Sequence, residues 1–131
     1  MVIRDLLNSK QRLILKISEL RGQLQRFPHS DDVANELVKS IDLLRETLIC
    51  LDVVHHSVSL NVGGQKISMA AALIIKNTVK LKADALSDVI NKSDCSPENV
   101  LGLMEQRDQL VEDYDLLVSG IEKLELSVEI S

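Results

Sequence analysis

Residues 97–128 read PENVLGLMEQRDQLVEDYDLLVSGIEKLELSV, and their spacing decides the fold. Val100, Met104, Arg107, Val111, Tyr114, Val118, Ile121, Glu125 and Val128 follow one another at intervals of three and four. That spacing puts one side chain per turn on a single face of an α-helix, so the segment has a seam to bury. Leu103, Leu110, Leu117 and Leu124 add a strict seven-residue row beside it. The apolar face is therefore broad, and the helix is expected to pack deeply. Its start is marked by Ser96-Pro97-Glu98: an N-cap, a proline at the first helical position and an early acid.

The same period recurs three times upstream. Ile3, Leu6, Lys10, Leu13, Ile17, Leu20, Leu24 and Phe27 form one seam. Leu37, Ile41, Leu44, Leu48, Leu51, His55 and Val58 form a second, and Met69, Ala72, Lys76, Val79, Ala83, Leu86 and Ile90 a third. The spacing predicts a first helix over about 2–27, ended by Pro28, which drives its predecessor out of α geometry. Ser30, followed by Asp31 and Asp32, caps a second helix reaching about Val58. Gly63-Gly64 marks a tight turn, with 58–60 and 66–67 as flanks of a very short hairpin. Ser68 caps a third helix reaching about Asn91, and the fourth runs from Pro97 to about Ser127. Short connections between long helices make antiparallel neighbours. The expected fold is all-α: one domain over 1–131, an antiparallel up-down-up-down bundle of four long coiled-coil-like helices.

Charge points the same way. Segments 1–27, 28–60, 61–93 and 94–131 carry net +4, −4, +3 and −8, within a chain total of −5. Each exposed ion pair contributes only about 0–1 kcal/mol. The alternation acts on orientation, because like-charged helices avoid lying side by side.

Composition narrows the function classes. Aromatic residues make up 2% of the chain, there is no Trp, and Phe27 and Tyr114 are single representatives. Ligand pockets and base-stacking surfaces draw on aromatic rings, so helix packing by Leu, Ile and Val is favoured over both. The acidic total and the lack of a recognition motif argue against nucleic acid. The longest apolar run, Met69 to Ile75, is far below the roughly 20 residues that span a bilayer. Cys50 and Cys95 belong to no close-spaced metal or redox motif, and the charged start of the chain is unlike a secretory leader. The expectation is a soluble cytoplasmic protein with two free thiols, no cofactor and no catalytic residue.

The polar seam positions are the candidate sites. In the up-down-up-down arrangement Lys10, Lys76, His55 and Glu125 fall toward the Gly63-Gly64 end, and Arg107 toward the other. Lys10 and Lys76 could hold an anionic ligand there, which makes a small binding module the alternative to an interaction protein. The competing explanation is structural: long side chains reach solvent from a helix end, and His55 pairs with Glu125. His55-His56 with Asp52 and Cys50 is the one group with metal-ligand chemistry, but a bundle metal site needs such residues from several helices, and His29 lies in a loop. A His-dependent metalloprotein is the weakest reading.

Off the seams, Leu7, Ile14, Leu43, Ile49, Val53, Ile74 and Ile75 remain apolar. Ile49, Val53, Ile74 and Ile75 are the candidate interface residues. A homodimer joined across a two-fold axis through the second and third helices is the expected way to cover them, and another helical protein is the other possible partner. The reading is a non-enzymatic protein that acts by packing against a copy of itself or against a partner helix.

Three stretches carry a resemblance: residues 11–25, QRLILKISELRGQLQ; Gly63 to Ser68 opening the Ala-rich helix at Met69-Ala70-Ala71-Ala72-Leu73; and residues 105–124. Together they are similar to the DIP1984-like family of small bacterial helical proteins, sometimes labelled septicolysin. The family's Asn-rich stretch before the turn is replaced here by residues 54–61, and its Asn-Trp near the C-terminus is absent. The resemblance implies a bacterial helical protein. It carries over no site residue, because the family offers no established active site.

Overall fold

The computed structural model describes residues 1–92 and 97–130, with the side chains of Pro97 and Glu98 set aside. The chain is all-α apart from one small hairpin. Helix α1 spans Ile3–Arg26, α2 Asp31–Ser57, α3 Met69–Lys92 and α4 Pro97–Ser127. Strands β1 (Ser59–Val62) and β2 (Gln65–Ser68) lie between α2 and α3. The residues cluster into two compact units, Met1–His55 with Glu125–Ser131, and His56–Leu124.

In the first unit α1 packs on α2. The Val2 amide donates to the Asp5 carboxylate at 2.9 Å, occupying a donor at the helix start that has no partner inside the helix. At the other end Phe27 leaves the α region with φ −131° and ψ 73°, as the following proline requires. Phe27 is therefore off the helix and 64% exposed, although it sits in step with the seam. Ser30 caps α2 through the Val33 amide at 3.4 Å. The four-residue link turns the chain back, and Lys16 of α1 reaches Glu36 of α2 at 2.6 Å. Beside the helix pair, the last turn of α4 and the residues after it meet the start of α1. Val2 and Glu129 form an antiparallel bridge, and the Ile130 amide donates to the Met1 carbonyl at 2.8 Å.

The α1 seam is buried or half-buried from Ile3 to Leu24. The α2 seam differs from its expected row. Leu37, Leu44, Leu51 and Val58 turn inward as expected, but their companions are Ser40, Thr47 and Val54. Ile41 and Leu48 are exposed instead. Two rows of three shared the same seven-residue frame, and the one with smaller side chains is the one buried. Leu7, expected off the seam, is half-buried.

The second unit joins the hairpin, α3 and most of α4. The pairing runs Ser59 to Ser68, Leu60 to Ile67, Asn61 to Lys66 and Val62 to Gln65, closed by Gly63 and Gly64. Both glycines have positive φ, 58° and 83°, as a two-residue hairpin turn matched to strand twist requires. The hairpin is longer than its expected flanks. The Met69 amide donates to the Val58 carbonyl at 2.8 Å, so pairing continues to the first residue of α3. Ser68 caps α3 through the Ala71 amide at 3.1 Å. Every seam position of α3 is buried or half-buried. In α4 Leu117 and Ile121 are buried, Leu103, Leu110 and Leu124 are half-buried, and Val111 is exposed. The expected Ser96 cap and Cys95 lie outside the described residues.

Candidate interaction surface

The polar seam residues are divided between the two units: Lys10, His55 and Glu125 belong to the first, Lys76 and Arg107 to the second. Lys10 and Lys76 are both half-buried. His55 is half-buried near the end of α2. Arg107 lies along its own helix, with Nε and Nη2 donating to the Asp108 carboxylate at 3.3 and 3.2 Å.

Glu125 has a defined partner. Its side chain is 10% exposed, and Arg4 Nη2 donates to Oε1 at 3.4 Å. A buried carboxylate needs such a cation, since an unpaired charge away from water is expensive. Arg4 escaped the sequence reading because it lies next to the α1 seam, not on it. The available signal was topological: an acid in the last turn of the fourth helix and a base in the first turn of the first. Glu36 is also paired across helices, with Lys16 of α1. The hydrogen bond from Lys16, reinforced by its charge, holds it below the usual glutamate value.

Among the described residues, no group of three or more His, Cys, Asp or Glu side chains could hold a metal ion, and no helix is long and apolar enough to cross a membrane. Cys50 is a free, half-buried thiol.

What the chain does present is apolar surface on helix faces turned away from the seams. On α2, Val38 is 60% exposed, Ile41 46%, Ile49 55% and Val53 61%. Three- and four-residue steps bring Val38, Ile41 and Ile49 onto one side, and Val53 lies four residues beyond Ile49. Asp42, Arg45, Glu46 and Asp52 are interspersed with them and exposed. On α3, Ile74 is 65% exposed, Leu81 68% and Val89 46%. Thr78, Lys82, Ala85, Asp88 and Lys92 share that side of the helix and are also exposed. Ile75 lies toward a groove formed by the hairpin, α3 and α4, whose walls include Leu60, Val79, Leu116 and Gly120. Gly120 lets the hairpin sit close: a Cβ there would come within 3.2 Å of the Leu60 side chain.

The four expected interface residues, Ile49, Val53, Ile74 and Ile75, are all exposed. The sequence reading left out Val38, Leu81 and Val89. The seven-residue frame was spent on the inner rows, and Ile41 had been placed there too. No family model, curated protein or solved structure matches this chain.

Proposed function

We propose that this chain is a non-enzymatic helix-packing protein that acts by self-association, or by packing against a helix of a protein partner. The observation that carries this reading is the second apolar row on α2 and on α3, made of large aliphatic side chains left exposed while an inner row of each helix is covered. Scattered exposed aliphatics need no explanation, but rows at helical spacing are what a facing helix covers. The low aromatic content fits this reading and disfavours a pocket for a flat organic ligand. A cytoplasmic location and kinship with the DIP1984-like helical proteins belong to the same proposal, the kinship resting on the three stretches quoted above.

Sedimentation equilibrium tests it. The parent chain should have more than the monomer mass at micromolar concentration, and Ile74→Glu and Leu81→Glu should each lower that mass while circular dichroism stays helical. A monomeric parent without a helical partner, or a parent mass indifferent to both substitutions, would sink the reading.

A further inference from the structure

The hairpin of the second unit leaves one strand edge open and without charge. Its register puts Val62 and Gln65 next to the turn, and the bond from the Met69 amide to the Val58 carbonyl extends the ladder at the other end. Bonded pairs alternate with unbonded ones in an antiparallel ladder. Val58, Leu60 and Val62 therefore bond across the hairpin, whereas Ser59 and Asn61 point their N–H and C=O groups outward. The sheet has two strands, so these outward groups meet no third strand. Asn61 is exposed. Proteins guard such edges with charged side chains, above all lysine. Strand β2 carries Lys66; β1, Ser-Leu-Asn-Val, carries no charge.

We propose that β1 pairs antiparallel with β1 of a second copy, across a two-fold axis at Leu60, so that two hairpins become one continuous sheet. The contact rests on self-association, but on backbone bonds within the second unit and not on the helix rows. With the axis at Leu60, Ser59 faces Asn61 of the other copy, and Asn61 faces its Ser59. Each such pair exchanges both N–H···O=C bonds, so every outward group of β1 is used. An axis one residue along, at Asn61, would carry Ser59 past the strand to Gly63 of the other copy. The facing side chains are uncharged, so the symmetry opposes no like charges. Both edges are identical, and the two-fold closes the assembly at a dimer.

The space beside the strand suits this occupant. The groove between the hairpin, α3 and α4 runs along β1, with Leu116 68% exposed and Ile75 36% exposed in its walls. Leu60 reaches Gly120 on that side. Residues directly opposite in an antiparallel pair share one face of the sheet, so Leu60 of the second copy enters the groove beside its counterpart. Asp113, the charged residue of the wall, accepts the Gln109 Nε2 donor of its own helix at 3.0 Å.

The test removes the outward donor from the full chain. Asn61→Pro deletes an N–H that the hairpin itself does not use, at an edge position where proline is tolerated. Lys66→Pro does the same on β2 and serves as the control. In sedimentation equilibrium Asn61→Pro should self-associate at least tenfold more weakly than the parent, and Lys66→Pro should stay within about threefold of it. Amide hydrogen exchange of the associated parent, read by NMR, needs no variant. The Ser59 and Asn61 amides should show protection at least tenfold above that of the Lys66 amide. If Asn61→Pro associates no more weakly than Lys66→Pro, or if Ser59 and Asn61 are no better protected than Lys66, the β1 contact is overturned and the helix rows remain the route to self-association. A monomeric parent would remove self-association itself, and this contact with it.

Discussion

Ser40 shows how much a single side chain can say about this packing. It is 1% exposed on α2, and its Oγ has no hydrogen-bond partner. A buried hydroxyl left unpaired loses its water without replacement, at a cost of about 1–3 kcal/mol. Alanine fills nearly the same space, asks for no partner and is the better helix former. Ser40→Ala should therefore stabilise the protein by about 1–2 kcal/mol, measured as a shift of the urea midpoint at unchanged slope. A loss of stability would mean that Oγ is bonded, for instance to a trapped water. Reading the sequence for apolar spacing could not find Ser40, because a serine scores as surface. The same is true of Arg4, whose role depends on where the fourth helix ends and not on its neighbours in the chain. Glu125 was legible as a seam residue with an unusual charge; its partner was not.

The elements themselves were far more legible than the pairs between them. Pro28, Ser30, Gly63-Gly64, Ser68 and Pro97 each act through local chemistry, and helix ends fall within a residue or two of where those residues put them. The inward row of α2 was not legible, because Leu37, Leu44, Leu51 and Val58 serve either companion row equally well. Hydrophobicity favoured Ile41 and Leu48, whereas the helix buries Ser40 and Val54 and half-buries Thr47. Close approach also explains the two glycines of α4. A Cβ at Gly102 meets nothing within 4 Å, and one at Gly120 meets Leu60 Cδ1 at 3.2 Å. Gly→Ala within a helix is worth roughly 0.8–1 kcal/mol in propensity. Gly102→Ala should gain about that much, and Gly120→Ala should gain less, because Leu60 must shift by a few tenths of an ångström. Thermal melts of the two variants should rank them in that order. Equal gains would mean that the hairpin is not held against α4 at Gly120.

At the scale of the whole molecule, the balance of buried and exposed carbon sets the outlook for stability. Among the described residues, ten apolar side chains are buried and eighteen large ones are exposed. Several of the buried ones are small, such as Ala72 and Ala83. A chain with so lean an interior gains little from folding by itself, and folding leaves only a small surplus over conformational entropy in any case. If the outer rows of α2 and α3 are covered by a second copy, part of the stability comes from association and so depends on concentration. For a dimer that unfolds to two separate chains, each tenfold rise in concentration adds about 1.4 kcal/mol per dimer. Two chains of 131 residues release about 2.1 cal/mol/K per residue on unfolding, so the melting midpoint should rise by roughly 2–3 °C per tenfold. Calorimetry from ten micromolar to one millimolar should show two such steps in the parent, and smaller steps in Ile74→Glu. A midpoint constant across that range would mean that the two units stand without a partner, and that the exposed rows contribute nothing to holding the fold.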